Sequence, residues 1–142
     1  MEKINIMDKI NLIDLDSFVF DLDNTLVFNK ENISLKTIEI IKALLKNNKK
    51  VIIATGRPHF LAKRIYKLLN LKTPIISING AHIYDMENKT SIFTKTIDND
   101  ISKKVFTILT NNNMQFLIYE KQILNFYQAY QTKSNWINWL TK

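Results

Sequence analysis

The stretch Ile13–Thr25 reads IDLDSFVFDLDNT and holds the tripeptide Asp-Leu-Asp twice, at Asp14–Asp16 and at Asp21–Asp23. Two carboxylates at this spacing can bind a metal, share a proton, or stand at the two ends of a strand. The apolar run Ser17–Leu22 between them is rich in strand formers and predicts a short strand buried on both faces. In an open parallel α/β sheet, ligands bind beyond the carboxyl ends of the strands. The first pair precedes the strand, so Asp14 and Asp16 read as solvated charges at a turn. The second pair closes it, which puts Asp21 and Asp23 at the mouth of the sheet.

If the chain turns at Asp23, the two carboxylates can reach different atoms of one centre. With that turn, one faces a reacting phosphorus and the other reaches the bridging oxygen. Asp21 is then the nucleophile of an aspartyl-phosphate mechanism. Asp23 is the general acid for the leaving alcohol, then the base for the hydrolytic water. Mg²⁺ suits such a centre, because it takes few carboxylate and carbonyl oxygens together with water and substrate phosphate; Asp21 and Asp23 are its candidate ligands. Thr55 offers a hydroxyl and, with Gly56, backbone N–H groups at a helix start where phosphate is favoured. Arg57 can pair with phosphate or another acidic substrate group. Asn79, in the stretch Asn79–His82, leaves a further strand on the same side.

The elements that would hold these residues follow from the apolar pattern. Ser34 is placed to cap a helix with Leu35, Ile38, Ile41 and Leu45 on one stripe, stopped by Asn47 and Asn48. Lys50–Thr55 is a second strand, broken at Gly56. Pro58 suits the first turn of a second helix, with Leu61, Ile65 and Leu68 on one face. Pro74–Asn79 is a third strand, closed by Gly80. Strands alternating with helices predict parallel βαβ units with right-handed crossovers. Past Tyr84 the rhythm changes. A hairpin flanks Met86–Thr90, then Asp98 or Asp100 caps a helix with Ile101, Val105 and Ile108 inward, and two strands follow. Trp136 and Trp139, three residues apart, read as one face of a short terminal helix, with stacking on a sugar or base as the competing use. His59 reads as a solvated first-turn residue and His82 as a loop histidine.

Three segments taken in order, FVFDLDNTL, VIIATGRP and IISINGAHIYD, resemble the haloacid dehalogenase-like hydrolases, specifically the Cof-type sugar-phosphatase branch. The resemblance implies an α/β fold: a Rossmann-like parallel βαβ core, here incomplete, over residues 1–84, followed by part of an α+β cap over residues 85–142. It implies that Asp21 is phosphorylated and binds Mg²⁺, that Asp23 is the acid/base and gives its carbonyl to the metal, and that Thr55 binds the phosphoryl group. Asn24 stands where many members carry Gly. Members also supply a lysine and a Gly-Asp-x-x-Asn-Asp type motif after the cap. Neither context occurs here, and no Asp or Glu follows Glu120. The expectation is therefore an N-terminal portion of such an enzyme, with the Ser17–Leu22 strand left as an apolar edge open to self-association or to a complementing chain.

Composition excludes other classes. The chain of 142 residues has no cysteine, so disulfides and thiolate chemistry are out. No apolar run approaches a membrane span, and the N-terminus lacks a signal-peptide core, which predicts a cytoplasmic protein without a membrane partner. The formal charge of +7 comes from dispersed lysines with arginine only at Arg57 and Arg64, so no nucleic-acid face is expected. The expected function is hydrolysis of a small phosphorylated metabolite. The competing expectation is a non-catalytic remnant or interaction module, or one half of a split enzyme.

Overall fold

The computed structural model describes residues 15–28 and 32–120 in full and residues 123–127 as backbone. The chain divides into two compact units between Thr94 and Lys95.

The first unit carries a five-stranded sheet in the order β1 (Ser17–Asp21), β2 (Lys50–Ala54), β3 (Ile75–Ser77), β4 (His82–Asp85), β5 (Thr90–Thr94). β1, β2 and β3 run parallel, with Asp21 opposite Ala54 and Ala54 opposite Ile76. The expected βαβ core is therefore present as an α/β arrangement, and its parallel strands end side by side. Helix α1 (Leu35–Lys46) makes the first crossover. Its N-cap Ser34 Oγ accepts from Thr37 N at 3.0 Å, and Asn47 caps its carboxyl end. The second crossover is a 3₁₀ turn (His59–Ala62) leading into α2 (Lys63–Leu68).

The core gathers Leu22, Ile41, Leu44, Val51, Ile53, Ile65, Leu69 and Ile75. On α1 the buried residues are Ile41 and Leu44, whereas Leu35, expected on the buried stripe, is 79% exposed in the first turn. β1 also departs from expectation. Phe18 and Phe20 pack against the core, but Val19 is 58% exposed. β1 lies at the edge of the described sheet, where only one face is covered.

The compact units divide after Thr94, beyond the boundary expected after Tyr84. β4 pairs antiparallel with β3 through Ile75↔Tyr84, Ile76↔Ile83 and Ser77↔His82, and β5 pairs with β4. A hairpin bonded to the core sheet belongs to it, whatever the change in sequence rhythm.

In the second unit, Asp98 caps helix α3 (Asn99–Asn111), accepting from Asp100 N at 2.9 Å. β6 (Phe116–Glu120) pairs antiparallel with β7 (Ile123–Tyr127). Ile101, Val105 and Ile108, expected to face inward, are exposed, and α3 has no buried residue. Trp136 and Trp139 lie outside the described residues. Among the described residues no helix is long and apolar enough to cross a membrane.

The segment after β1 is anchored by Leu22, which is wholly buried. Leu22→Ala should cost about 2–5 kcal/mol through lost burial and the cavity left behind. The measurement is the urea midpoint followed by far-UV circular dichroism; a loss below about 0.5 kcal/mol, the size of a surface change, would contradict that packing.

Candidate functional site

Asp21 is the last residue of β1, and the chain turns immediately after it. Leu26 N and Val27 N both donate to Leu22 O, at 3.1 and 2.9 Å, and Asn24 N donates to Val27 O at 2.9 Å. Asn24 holds φ 60°, a left-handed conformation that asparagine tolerates better than most residues. The chain therefore turns at Asp23, as expected. Thr25, four residues beyond Asp21, donates its hydroxyl to Asp21 Oδ2 at 3.3 Å.

Asp23 is held quite differently. Arg57 Nε donates to Asp23 Oδ2 at 2.9 Å and Arg57 Nη2 to Asp23 Oδ1 at 2.5 Å. The pair is bidentate, the geometry in which a guanidinium grips a carboxylate best. Its burial is lopsided: the Arg57 side chain is 5% exposed and that of Asp23 is 44% exposed. Arg57, expected as a phosphate ligand, is therefore engaged by Asp23.

The segment after β2 is equally constrained. Thr55 is buried, its N–H donates to Ile76 O, and its hydroxyl accepts from Arg57 N at 3.1 Å. Ile78 N donates to Arg57 O and Asn79 N to Thr55 O, each at 3.2 Å. Ile78 and Asn79 both have φ 52°, and Gly80 follows at φ 89°. A β-branched residue in that region is strained by roughly 1–3 kcal/mol, and such strain gathers at sites. Gly56 has its own reason to be glycine: a Cβ there would sit 2.9 Å from Asn79 Oδ1. Thus Asp23, Thr55, Gly56, Arg57 and Asn79 form one bonded and packed cluster. Asp21 adjoins it through its pairing with Ala54 in the sheet.

Behind this cluster lie two buried histidines, His59 expected as a solvated first-turn residue and His82 as a loop histidine. His59 and His82 are 6% and 2% exposed. His59 stacks on Tyr84 at 3.8 Å between ring centroids, with His82 5.2 Å away. His82 Nε2 lies 2.9 Å from Ser91 Oγ and its Nδ1 3.3 Å from Ser77 Oγ. Among the described residues, none is a hydrogen-bond partner to the buried His59 Nδ1. Burial, and then the neighbouring His82, push His59 down to about 4; burial also lowers His82.

Among the described residues no three carboxylate, histidine or cysteine side chains cluster as a ready metal cage. Mg²⁺ asks for less, one or two carboxylates plus carbonyl, water and phosphate oxygens. Asp21 fits, since among the described residues its carboxylate accepts one long hydrogen bond. Asp23 fits through its carbonyl, because the Asp23–Val27 bridge runs through Leu22 O and Asn24 N. Its carboxylate is committed to Arg57. A surface cavity of about 220 Å³ beside Lys63, Tyr66, Lys67, Lys72 and Glu87 lies near the β4–β5 turn, at the other end of the sheet.

Sequence reasoning passed over Thr25, Ser77 and the burial of the two histidines. Thr25 had a signal, a hydroxyl four residues past a carboxylate in a tight turn. The histidines had none, since their burial depends on β4 folding back along β3.

Residues 18–138 match the family model described as haloacid dehalogenase-like hydrolase. The chain is 31% identical over 99 residues to the phosphatase YwpJ of Bacillus subtilis, covering 70% of this chain and 34% of that protein. It is 29% identical over 101 residues to the 5-amino-6-(5-phospho-D-ribitylamino)uracil phosphatase YitU of the same organism, covering 70% and 37%. A solved haloacid dehalogenase-like hydrolase from B. subtilis superimposes with a TM-score of 0.69 at 28% identity, covering 78% of this chain and 38% of the solved one. The chain thus spans little more than a third of the length of these relatives.

Two outcomes follow from the geometry. Asp23→Asn removes the carboxylate from a buried guanidinium and should cost about 1–3 kcal/mol. Asp21→Asn gives up one long hydrogen bond and should stay within about 0.5 kcal/mol of the parent. Thermal melts of the two variants check the contrast, and equal shifts would contradict it. The histidines set the acid behaviour. A folded-state value below the ordinary 6.5 means that the unfolded chain binds more protons, so stability falls as pH drops from about 6.5 toward 4. Urea midpoints at pH 7 and pH 5 should show that loss, and His59→Leu should flatten it.

Proposed function

The chain belongs to the haloacid dehalogenase-like hydrolases, and on that footing we propose that it carries the nucleophile half of a Mg²⁺-dependent phosphatase for small phosphorylated metabolites. The observation that supports this reading best is the register of the parallel strands. Asp21 ends β1 opposite Ala54, Thr55 follows directly, and the Asp23–Arg57 pair joins the two loops beyond. A carboxylate, a hydroxyl and an ion pair stand together where an open α/β sheet binds its ligands.

In the proposed reaction an Asp21 carboxylate oxygen attacks phosphorus. As the Asp21–phosphorus bond forms, the bond from phosphorus to the ester oxygen breaks, and protonated Asp23 gives its proton to that oxygen. Asp23, now a carboxylate, takes a proton from water as the water oxygen bonds to phosphorus and the Asp21–phosphorus bond breaks. Phosphate leaves, and both aspartates return to their starting states. Thr55 and the backbone around Gly56 and Asn79 hold the phosphoryl oxygens. Mg²⁺, held by the Asp21 carboxylate and the Asp23 carbonyl, would supply positive charge against the phosphate. The phosphate-bearing metabolite in the name of the YitU relative supports the substrate class.

The purified chain should hydrolyse p-nitrophenyl phosphate with Mg²⁺ and stop when EDTA removes the metal. Asp21→Asn should lower kcat by about three decades or more, with its melting temperature kept. No turnover in excess Mg²⁺ would overturn the reading for this chain.

A further inference from the structure

Arg57 is the residue whose place in the structure differs most from the role its sequence context suggests. Its side chain is 5% exposed, while the carboxylate it grips is 44% exposed. A ligand arriving from solvent meets Asp23 before it meets the guanidinium. The Nε and Nη2 edge, the one that would fork onto phosphate oxygens, is occupied by Asp23 Oδ2 and Oδ1.

The backbone of Arg57 is fixed from both sides, its N–H on Thr55 Oγ1 and its carbonyl under Ile78 N. Arg57 is therefore a buried cation on a pinned loop, and it sets where the Asp23 carboxyl stands. The carboxyl itself sits on a different loop, 34 residues away in sequence.

We propose that Arg57 is a positioning residue for the acid/base Asp23 and acts on the proton transfer, with the substrate phosphate held by other groups. This rests on the reading of Asp23 as the acid/base. The fork fixes both Asp23 oxygens from one side, from a loop whose own backbone is held by Thr55 and Ile78, so the carboxyl meets the leaving oxygen and then the incoming water from one place. The proton that Asp23 gives to the leaving alcohol is replaced by one from the water, so the proton count balances.

The test compares two esters that differ in their need for an acid. p-Nitrophenyl phosphate loses a stable phenolate and needs little protonation; glycerol 3-phosphate loses a poor alkoxide and needs it. Asp23→Asn should lower kcat on the glycerol ester about 100-fold more than on the aryl ester, the range of general-acid assistance. Arg57→Gln should be selective in the same direction by about 10-fold or more, with KM for both esters within about 3-fold of the parent. Arg57→Lys keeps the cation but cannot make the fork, so it should lose selectively and by less.

If Arg57→Gln does not fold, as read by circular dichroism, the Lys variant carries the comparison. An equal loss on both esters with a raised KM, alongside a selective Asp23→Asn, makes Arg57 a phosphate ligand and overturns the proposal alone. An unselective Asp23→Asn, or a parent chain without turnover, overturns the acid/base reading and the proposal with it.

Discussion

A guanidinium that is 5% exposed cannot be left without an anion, because removing a charge from water costs several kcal/mol unless a partner and hydrogen bonds replace the solvent. Asp23 meets that demand through both oxygens, and in doing so it ties the loop after β1 to the loop after β2. Parallel strands bring two loops to the same end of a sheet but do not fix them to each other. Here the desolvation of Arg57 does so. The loop that carries Asp21 and Asp23 is folded on Leu22 from below and clamped by Arg57 from beside it.

The same logic extends to the third strand end. Ile78 and Asn79 adopt left-handed backbone that an ordinary chain avoids, and two hydrogen bonds from their N–H groups to Arg57 O and Thr55 O hold them there. The strain is compensated by contacts with the very loop that carries the clamp. Gly56 eases the approach, since a Cβ there would require the Asn79 side-chain amide to shift. Three strand ends are thereby made into one surface, and the His59–Tyr84–His82 stack packs behind it, where burial favours the neutral imidazoles.

Much of this was legible beforehand, for physical reasons that can be named. β1, α1 and β2 were readable because their apolar residues recur at the periods of strand and helix, and because Ser34 and Asn47 punctuate the helix. The convergence of Asp21, Thr55 and Asn79 was readable because each stands at the end of an apolar strand. What was not readable depends on pairings between distant segments. Whether Arg57 faces substrate or Asp23 is decided by a turn at Asn24. Whether His82 is buried is decided by β4 pairing with β3, which also carried the compact unit on to Thr94. On α3 the period was right and burial did not follow, because periodicity names a face without supplying what covers it.

The two carboxylates of the second Asp-Leu-Asp end up unlike in the one respect that matters for a phosphate ester. At 4 Å and an effective dielectric near 20, each unit pair of like charges costs about 4 kcal/mol, so two free carboxylates would repel a phosphate dianion severely. Arg57 neutralises Asp23 at contact distance, and among the described residues no ion pair reaches Asp21. The approach of phosphate is then opposed by one carboxylate instead of two. On the proposed reading that remaining one is the nucleophile, whose charge is consumed when its bond to phosphorus forms. A cation at Asp23 lowers the barrier to approach without weakening the attacking group, whereas the same cation at Asp21 would do the reverse. The position of Arg57, buried behind the second aspartate and away from the first, thus makes the two carboxylates electrostatically unequal.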